Sequence, residues 1–264
     1  MSFLSETYPE IIELLMFAQE QGEYAESLRH NSDLEIQKKK DGSLVTLADK
    51  SISEAAEEAL PNIINVPVIS EENPPSIEDY ERFWLIDPID GTSSYTGMYD
   101  GYAVAIALID NGRPVMSVVV APAQRIAYFA TKGEGAFKID LDNSKVSQLG
   151  YQYIGEKLFA SFYKRSPLHE KKLQAFIDKN NMSSRQVYPE SSLLKYCYAA
   201  EGRYAIAGGW SDLESWDIAA ADLIVEESGG YMVSAETQQT IQYSAKYSFT
   251  PSPIAVANGV LIHW

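Results

Sequence analysis

Trp84-Leu85-Ile86-Asp87-Pro88-Ile89-Asp90-Gly91-Thr92 is the stretch of this chain that decides which fold to expect. The apolar run Phe83–Ile86 predicts a short buried strand. The strand ends on Asp87, then Pro88 fixes the backbone φ angle, and Asp90 adds a second carboxylate before a Gly-Thr turn. Two carboxylates this close repel each other near a core unless a cation joins them. Alone, the stretch fits a metal site and an acidic turn about equally well.

Length and composition indicate a globular protein with one large domain or two closely packed domains. The chain has 264 residues, of which 45% are hydrophobic and 22% charged. Its formal charge of −16 argues against a nucleic-acid polymer or an anionic membrane as a partner. Residues 1–100 hold 21 Asp and Glu but only 6 Lys and Arg. Much of this acidic excess must be solvated surface, but a carboxylate site for a hard divalent cation is expected in this half.

Cysteine and hydropathy narrow the class of protein further. The single cysteine, Cys197, excludes an intramolecular disulfide and a Cys-rich zinc site. No apolar stretch approaches the roughly 18 residues of a membrane span, and no basic segment precedes an apolar one near the N-terminus. We therefore expect a cytoplasmic enzyme without a membrane partner.

Hydrophobic periodicity predicts two helices and an antiparallel sheet in the first half of the chain. The first helix runs from Pro9 to about Arg29, and the second from Asp49 to Leu60, where Pro61 should end it. Asn111-Gly112 is a strong signal for a hairpin turn between two strands.

The second half alternates strands with helices, which predicts α/β layering. The composition becomes polar around residues 140–150. We therefore predict an N-terminal domain of residues 1–145, with most of the site, and a C-terminal domain of residues 146–264, which adds Asp217 and substrate contacts.

Four acidic elements each lie at the end of a predicted strand or helix: Asp49, Glu71-Glu72, Asp87 with Asp90, and Asp217. Oxygen ligands at such positions suit Mg²⁺, which binds a few carboxylates together with water and phosphate. Each element also has a plain structural explanation, because Asp is a common helix N-cap and Glu71-Glu72 fits a solvated loop.

Together these elements resemble the inositol monophosphatase superfamily of magnesium-dependent, lithium-sensitive phosphatases. The resemblance covers nearly the whole chain. It implies an α/β (α+β) fold, the layered αβαβα sandwich of the inositol monophosphatase and fructose-1,6-bisphosphatase type, and a homodimer. The motifs that carry it are Val45-Thr46-Leu47-Ala48-Asp49, Ser70-Glu71-Glu72, Trp84 through Thr92, Trp216-Asp217-Ile218-Ala219-Ala220 and Glu227-Ser228-Gly229-Gly230.

In this family two or three Mg²⁺ ions surround the phosphate of a small phosphomonoester. The resemblance assigns Glu71, Asp87 and the Ile89 carbonyl to the first ion, and Asp87, Asp90 and Asp217 to the second. One ion would lower the pKa of a bound water while the other stabilises the leaving oxygen. Positioning and charge stabilisation then replace a protein nucleophile.

The resemblance also assigns catalytic and phosphate-binding roles. Thr92 and Asp49 would orient and deprotonate the attacking water, with Glu71 assisting. Gly91, Thr92 and Ser93 would present backbone N–H groups to the phosphate. The lysines at 38–40 align with a loop near a third metal, although solvated surface lysines would look the same.

The substrate is less clearly indicated. Several segments look most like bacterial 3′(2′),5′-bisphosphate nucleotidases, which hydrolyse 3′-phosphoadenosine 5′-phosphate to AMP. Trp210 replaces the glutamate that contacts inositol in inositol monophosphatases, so it would stack on a base or pack in a turn. Ser191 lies in the segment that approaches the substrate, next to Glu190, whose charge would repel a second phosphate. The chain also has Ser93 where those nucleotidases carry lysine.

The leading hypothesis is therefore a Mg²⁺-dependent phosphatase of a bisphosphate nucleotide. The alternatives are an inositol monophosphatase or another sugar or polyol phosphatase, and a catalytically silent family member that serves as a binding or regulatory protein.

Overall fold

A computed structural model describes most of the chain. The described ranges are 9–30, 36–38, 44–73, 78–150, 152–155, 158–161, 167–186, 191–210, 213–246, 249–250 and 252–264. Lys39, Lys40 and Glu190, which the sequence analysis named, lie outside them.

The described helices are α1 (Pro9–His30), α2 (Leu47–Ile63), α3 (Thr92–Thr96), α4 (Pro167–Lys179), α5 (Ser192–Ala200) and α6 (Ala219–Glu227), with 3₁₀ helices at Pro122–Gln124 and Ser215–Asp217. The strands are β1 (Gln37–Lys38), β2 (Leu44–Val45), β3 (Val68–Ser70), β4 (Arg82–Asp90), β5 (Ala103–Asp110), β6 (Arg113–Ala121), β7 (Ile126–Thr131), β8 (Gly135–Asp140), β9 (Lys145–Gln148), β10 (Leu158–Ser161), β11 (Ser183–Gln186), β12 (Ile206–Gly208), β13 (Leu213–Glu214), β14 (Tyr231–Ser234), β15 (Phe249–Thr250) and β16 (Pro253–Val256).

Two sheets organise the molecule. The larger has seven strands in chain order from β3 to β9, with β3 parallel to β4 and each later pair antiparallel. Asn111 and Gly112 join β5 to β6 with φ angles of 49° and 76°, as the Asn-Gly signal predicts. The smaller sheet has the order β11-β10-β12-β16-β14, in which the first two pairs are parallel and the last two antiparallel.

Helices cover both sheets and fill the space between them. On one face of the larger sheet, α1 and α2 pack against alternate residues of β4 such as Trp84 and Ile86. The opposite residues, such as Leu85, face α5, α6 and the smaller sheet in a second cluster. A third cluster places Phe176 of α4 on the other side of the smaller sheet. The layers therefore run αβαβα, which confirms the predicted sandwich.

The second helix passes through the proline that was expected to end it. Pro61 lies inside α2, which continues to Ile63. Proline removes the N–H that would bond to the carbonyl of Glu57, but Glu57 is exposed, so water can satisfy that carbonyl. The prediction that α2 ends at Leu60 was wrong for this reason.

The predicted domain boundary falls inside a strand. β9 pairs with β8, so the larger sheet includes residues on both sides of the predicted division between residues 145 and 146. Three of the four residues of β9 are exposed, as is usual for an edge strand, which explains the polar composition. The larger sheet ends after Gln148, and α5 and α6 from the second half pack against it.

Candidate active site

Three carboxylates converge where β4 ends beside the 3₁₀ helix Ser215–Asp217. Asp87, Asp90 and Asp217 each place a carboxylate oxygen within 4.8 Å of the others. Asp87 is 1% exposed and Asp90 is 5% exposed, so these oxygens are largely removed from water. The sequence analysis assigned these three side chains to one metal ion, and the structure brings them together.

A β-bulge aims the two aspartates of β4 into this site. Asp87 lies opposite Ala105 and Asp90 opposite Ala103, so β4 has one extra residue between them. Pro88, which has no N–H to donate to a ladder, is accommodated in this irregular step. The strand therefore extends past Asp87, where the sequence analysis ended it, to Asp90.

Backbone N–H groups orient the three carboxylates. The Ile89 N–H donates to Asp87 Oδ1 over 3.0 Å, and the Leu193 N–H of α5 donates to Asp90 Oδ2 over 2.9 Å. The Glu214 N–H donates to Asp217 Oδ2 over 3.0 Å within a capping box. Each carboxylate keeps acceptor capacity for a further ligand.

Burial and mutual repulsion oppose ionisation of the cluster. Burial, followed by the charges of neighbouring carboxylates, raises the pKa of Asp87 and Asp217 well above the usual range. Burial also raises the pKa of Asp90 to about 6, although its hydrogen bonds and the Lys195 charge act in the opposite direction. A divalent cation would offset both effects, and an all-oxygen ligand set of this kind suits Mg²⁺. The residues present therefore fit the metal that the sequence analysis expected.

Asp49, at the start of α2, has one carboxylate oxygen engaged and one without a partner among the described residues. Asp49 Oδ2 accepts hydrogen bonds from the Thr46 N–H over 2.7 Å and the Thr46 hydroxyl over 2.6 Å, while Oδ1 is buried and unpartnered. Burial raises the pKa of Asp49 to about 7, and the negative charges of Glu71 and Glu72 add to the effect. Such a carboxylate is suited to accept a proton near neutral pH.

Glu71 follows β3 and adjoins the cluster. Its N–H donates to the Ile86 carbonyl over 3.3 Å, which ties it to β4 one residue beyond the last register pair, Ser70 and Ile86. Its charge raises the pKa of Asp49, Asp87 and Asp217, so it lies close enough to all three for electrostatic coupling. Glu71 is not among the side chains that converge within 4.8 Å.

The turn after β4 packs tightly. Gly91 has a φ angle of 88°, and an added Cβ would lie 2.9 Å from Ser191 Cβ and 3.0 Å from the Gly101 carbonyl oxygen. Ser191 caps α5 by accepting a bond from the Leu194 N–H, and its own N–H donates to the Gly101 carbonyl. Ser191 is thus beside Gly91, as expected for a residue near the site.

In the described residues the hydroxyl of Thr92 is bonded within its own turn and not to Asp49, which the sequence analysis paired with Thr92 in handling the attacking water. It donates to the Ile89 carbonyl over 3.2 Å, whereas the hydroxyl bound to Asp49 in the described residues belongs to Thr46. Ser93 is the second residue of α3, directly after Thr92.

Two residues of the site went unnoticed in the sequence. Lys195 is 3% exposed in α5, and its charge favours ionisation of Asp90. A lysine inside the apolar run of α5 was the available signal. Thr46 belongs to a Thr-x-x-Asp capping pattern, which indicates the Thr46–Asp49 pair.

Trp210 is not placed where its ring would stack on a substrate base. It is 7% exposed in the cluster that also contains Phe176, with the two ring centroids 5.4 Å apart. This placement is that of a core residue and favours the packing interpretation.

Comparison with known proteins agrees with the layered fold. The family model described as "Inositol monophosphatase family" matches residues 10–261. The chain belongs to this family. Because its relatives are phosphatases, the chain is a phosphoric monoester hydrolase.

Among curated relatives, the 3′(2′),5′-bisphosphate nucleotidase CysQ of Salmonella typhimurium is 30% identical over 220 residues, covering 82% of this chain and 86% of the relative. The histidinol-phosphatase of Mycobacterium tuberculosis is 32% identical over 214 residues, covering 77% of this chain and 79% of the relative. The solved structure of CysQ from Bacteroides thetaiotaomicron superposes with a TM-score of 0.79 at 25% identity, covering 95% and 98% of the two chains. In the part of the chain that the structure describes, no helix combines the length and apolar character needed to cross a membrane.

Proposed function

We propose that this family member is a Mg²⁺-dependent 3′(2′),5′-bisphosphate nucleotidase. The observation that carries the metal dependence is the convergence of Asp87, Asp90 and Asp217 within 4.8 Å in a buried site. The nucleotide substrate is supported by the CysQ relatives, which share 30% identity with the chain over most of its length.

In this proposal the metal ligands are Glu71, Asp87, the Ile89 carbonyl, Asp90 and Asp217. Bound Mg²⁺, as two or three ions, would supply Lewis-acid activation of water and neutralise charge on the phosphoryl group. Asp87 lies within electrostatic range of Glu71, Asp90 and Asp217, since the charges of all three raise its pKa. In this proposal it binds both ions.

Asp49 is the residue of this chain suited to take the proton of the attacking water. Its unpartnered Oδ1 is free to accept, while Thr46 holds Oδ2. Thr92 would direct that water, and Glu71 would assist by holding negative charge beside Asp49. Gly91, Thr92, Ser93 and Ser191 form the rim against which the phosphate binds.

The alternative within the enzyme class is a phosphatase of inositol phosphate or another polyol or sugar phosphate. The 32% identical histidinol-phosphatase keeps this alternative open. The complete set of carboxylates argues against a catalytically silent binding protein. The proposal also includes lithium inhibition and a homodimer, which only the family resemblance supports, and the cytoplasmic location that the sequence analysis expected.

A substrate panel tests the proposal. Purified protein with Mg²⁺ is assayed for phosphate release from 3′-phosphoadenosine 5′-phosphate, inositol 1-phosphate, histidinol phosphate and fructose 1,6-bisphosphate. We expect kcat/KM for the bisphosphate nucleotide to exceed the others by roughly tenfold or more. A preference for inositol phosphate or histidinol phosphate would overturn the nucleotide assignment. The matched control is the same assay with EDTA in place of Mg²⁺, in which we expect no activity.

A further inference from the structure

A buried arginine lies behind the turn that carries Asp90 and Thr92. Arg29, next to the last residue of α1, is 5% exposed. Its Nε donates to the Tyr95 carbonyl over 3.1 Å, and its Nη2 donates to the Tyr99 carbonyl over 2.7 Å. The Tyr95 carbonyl lies near the end of α3, where it also accepts from the Met98 N–H over 3.3 Å, and the Tyr99 carbonyl lies just after the helix. The last carbonyls of a helix are the ones that commonly take a donor from outside it. Arg29 thus caps α3 from a distant part of the chain.

The cluster around Arg29 balances the buried charge. Its Nη1 donates to Glu26 Oε1 over 3.2 Å, and the Tyr102 hydroxyl donates to the same carboxylate oxygen. The guanidinium carbon lies 5.1 Å from the centroid of the Tyr102 ring, within the range of a cation–π contact. A buried cation with both a carboxylate and backbone carbonyls as partners is fixed in place rather than solvated.

Hydrogen bonds connect Arg29 to the turn through a single residue, Tyr95. The Tyr95 carbonyl accepts from Arg29, while the Tyr95 N–H donates to the Gly91 carbonyl over 3.0 Å. The Tyr95 hydroxyl donates to the Ala25 carbonyl over 2.8 Å, which is a second bond between α1 and α3. Movement of α3 relative to α1 would therefore move Gly91, which lies between Asp90 and Thr92.

The opposite side of the turn is held by α5. The Leu193 N–H binds the Asp90 carboxylate, and Ser191 packs against Gly91. The turn is thus fixed between α5, which faces the space between the sheets, and α1, which covers the outer face of the larger sheet. Loss of the α1 side would leave only one of the two restraints.

We propose that Arg29 is a positioning residue, which sets the direction of the Asp90 carboxylate and the Thr92 hydroxyl through Tyr95 and Gly91. This role rests on the proposed function, because it assumes that the turn serves Mg²⁺-dependent hydrolysis. Groups that bond directly to metal ligands commonly change metal affinity or activity by roughly 10- to 100-fold, and Arg29, which acts through Tyr95 and Gly91, is expected at the lower end of that range.

The test compares Arg29→Lys and Arg29→Met with wild type in the full chain. Lysine keeps the charge but presents no fork that can reach two carbonyls and a carboxylate together, whereas methionine removes all three bonds. The measurements are the Mg²⁺ dissociation constant by calorimetry, kcat and KM separately on the best ester of the panel, and thermal stability. Lys138→Met is the control. Lys138 binds Glu201 and lies over the Tyr128 ring, so this variant loses a partly buried ion pair that is not part of the Arg29 cluster.

In the Arg29 variants we expect the Mg²⁺ dissociation constant to rise by about tenfold or more and kcat to fall by a similar factor, while KM stays within about twofold of wild type. The effects should be smaller in Arg29→Lys than in Arg29→Met. Lys138→Met should lower the melting temperature without either effect. Wild-type Mg²⁺ affinity and kcat in a folded Arg29→Lys protein would overturn the proposal, as would an equal loss in Lys138→Met. If Arg29→Met does not fold, Arg29→Lys decides.

The proposed function can fail separately. If the wild type binds no Mg²⁺ and hydrolyses no ester, that function is wrong, and amide hydrogen exchange then decides the role of Arg29. Faster exchange of the Ser94 and Tyr95 amides in Arg29→Lys, relative to Lys138→Met, supports positioning of the turn; unchanged exchange overturns it.

Discussion

Asp90 shows that a single buried residue can lower the stability of the metal-free protein and still be well placed to bind a metal ion. Asp90 is 5% exposed and faces other carboxylates, so its burial and charge oppose folding without a cation. The Leu193 N–H and Lys195 offset only part of this cost. The side chain is therefore positioned for a ligand at the expense of stability.

Asp90→Asn separates these two effects. The amide keeps the size of the side chain but removes one negative charge from the buried cluster, so the metal-free protein should melt at a higher temperature than wild type. The same change should reduce phosphatase activity by about 100-fold or more and abolish most of the stabilisation by Mg²⁺. Thermal unfolding with EDTA and with Mg²⁺, beside phosphate release, measures all three. Activity at the wild-type level would show that the site is assigned wrongly.

Secondary structure elements explain which features of the site the sequence could reveal. The residues Asp87, Asp90 and Asp217 were found because each lies at the end of a predicted element within a recognisable motif. The core position of Trp210 depends on long-range packing. The bond from Thr92 to Ile89, three residues earlier, follows a β-bulge that no local pattern encodes.

The end of α2 was misjudged for a physical reason: Pro61 is tolerated inside the helix because the carbonyl it leaves open faces water. β9 gave no strand signal in the sequence, because an edge strand with exposed side chains lacks an apolar pattern. The five layers, by contrast, were predictable from the order of elements together with the family motifs. The assignment of catalytic and substrate-binding residues stays a prediction.

The turn at the end of β4 gives a prediction at this scale. Gly91→Ala forces a left-handed backbone on alanine and brings its Cβ within 2.9 Å of Ser191 Cβ. Gly133→Ala is the matched control, since Gly133 has a φ angle of 83° but nothing within 4 Å of an added Cβ. The control should lose about 1 kcal/mol from backbone strain alone, and Gly91→Ala a further 1–3 kcal/mol, roughly, from overpacking. Denaturant unfolding measures both, and equal losses would mean that Ser191 moves away freely.

At the scale of the whole molecule, the buried carboxylates make stability depend on pH and metal together. The folded protein holds the pKa of Asp49 at about 7 and that of Asp90 at about 6, whereas unfolded aspartates titrate near roughly 4. Because both values are raised on folding, the metal-free folded state binds more protons than the unfolded state between these limits. The contribution of these two carboxyl groups to the free energy of unfolding is complete below about pH 4 and is lost as the pH rises through 6 and 7.

We therefore expect these two groups to make the EDTA-treated protein melt higher at pH 5.5 than at pH 8, by roughly 3 °C or more. Mg²⁺ should have the opposite dependence, with greater stabilisation at pH 8, because ionised carboxylates bind it best. Melting curves at several pH values, with and without Mg²⁺, test both statements. Asp49→Asn is the control and should show a smaller pH dependence, while a metal-free wild type that is more stable at pH 8 would contradict the expectation.

The layer of α5 and α6 between the sheets has a consequence for biosynthesis. The seven strands of the larger sheet follow one another in the chain and are complete at Gln148, but the helices that cover its inner face come from residues 192–227. A ribosome making this chain at roughly 5–20 residues per second would expose that apolar face for several seconds before its cover emerges. The nascent chain is then a substrate for chaperones, and premature termination in this interval yields an aggregating fragment rather than a smaller folded protein.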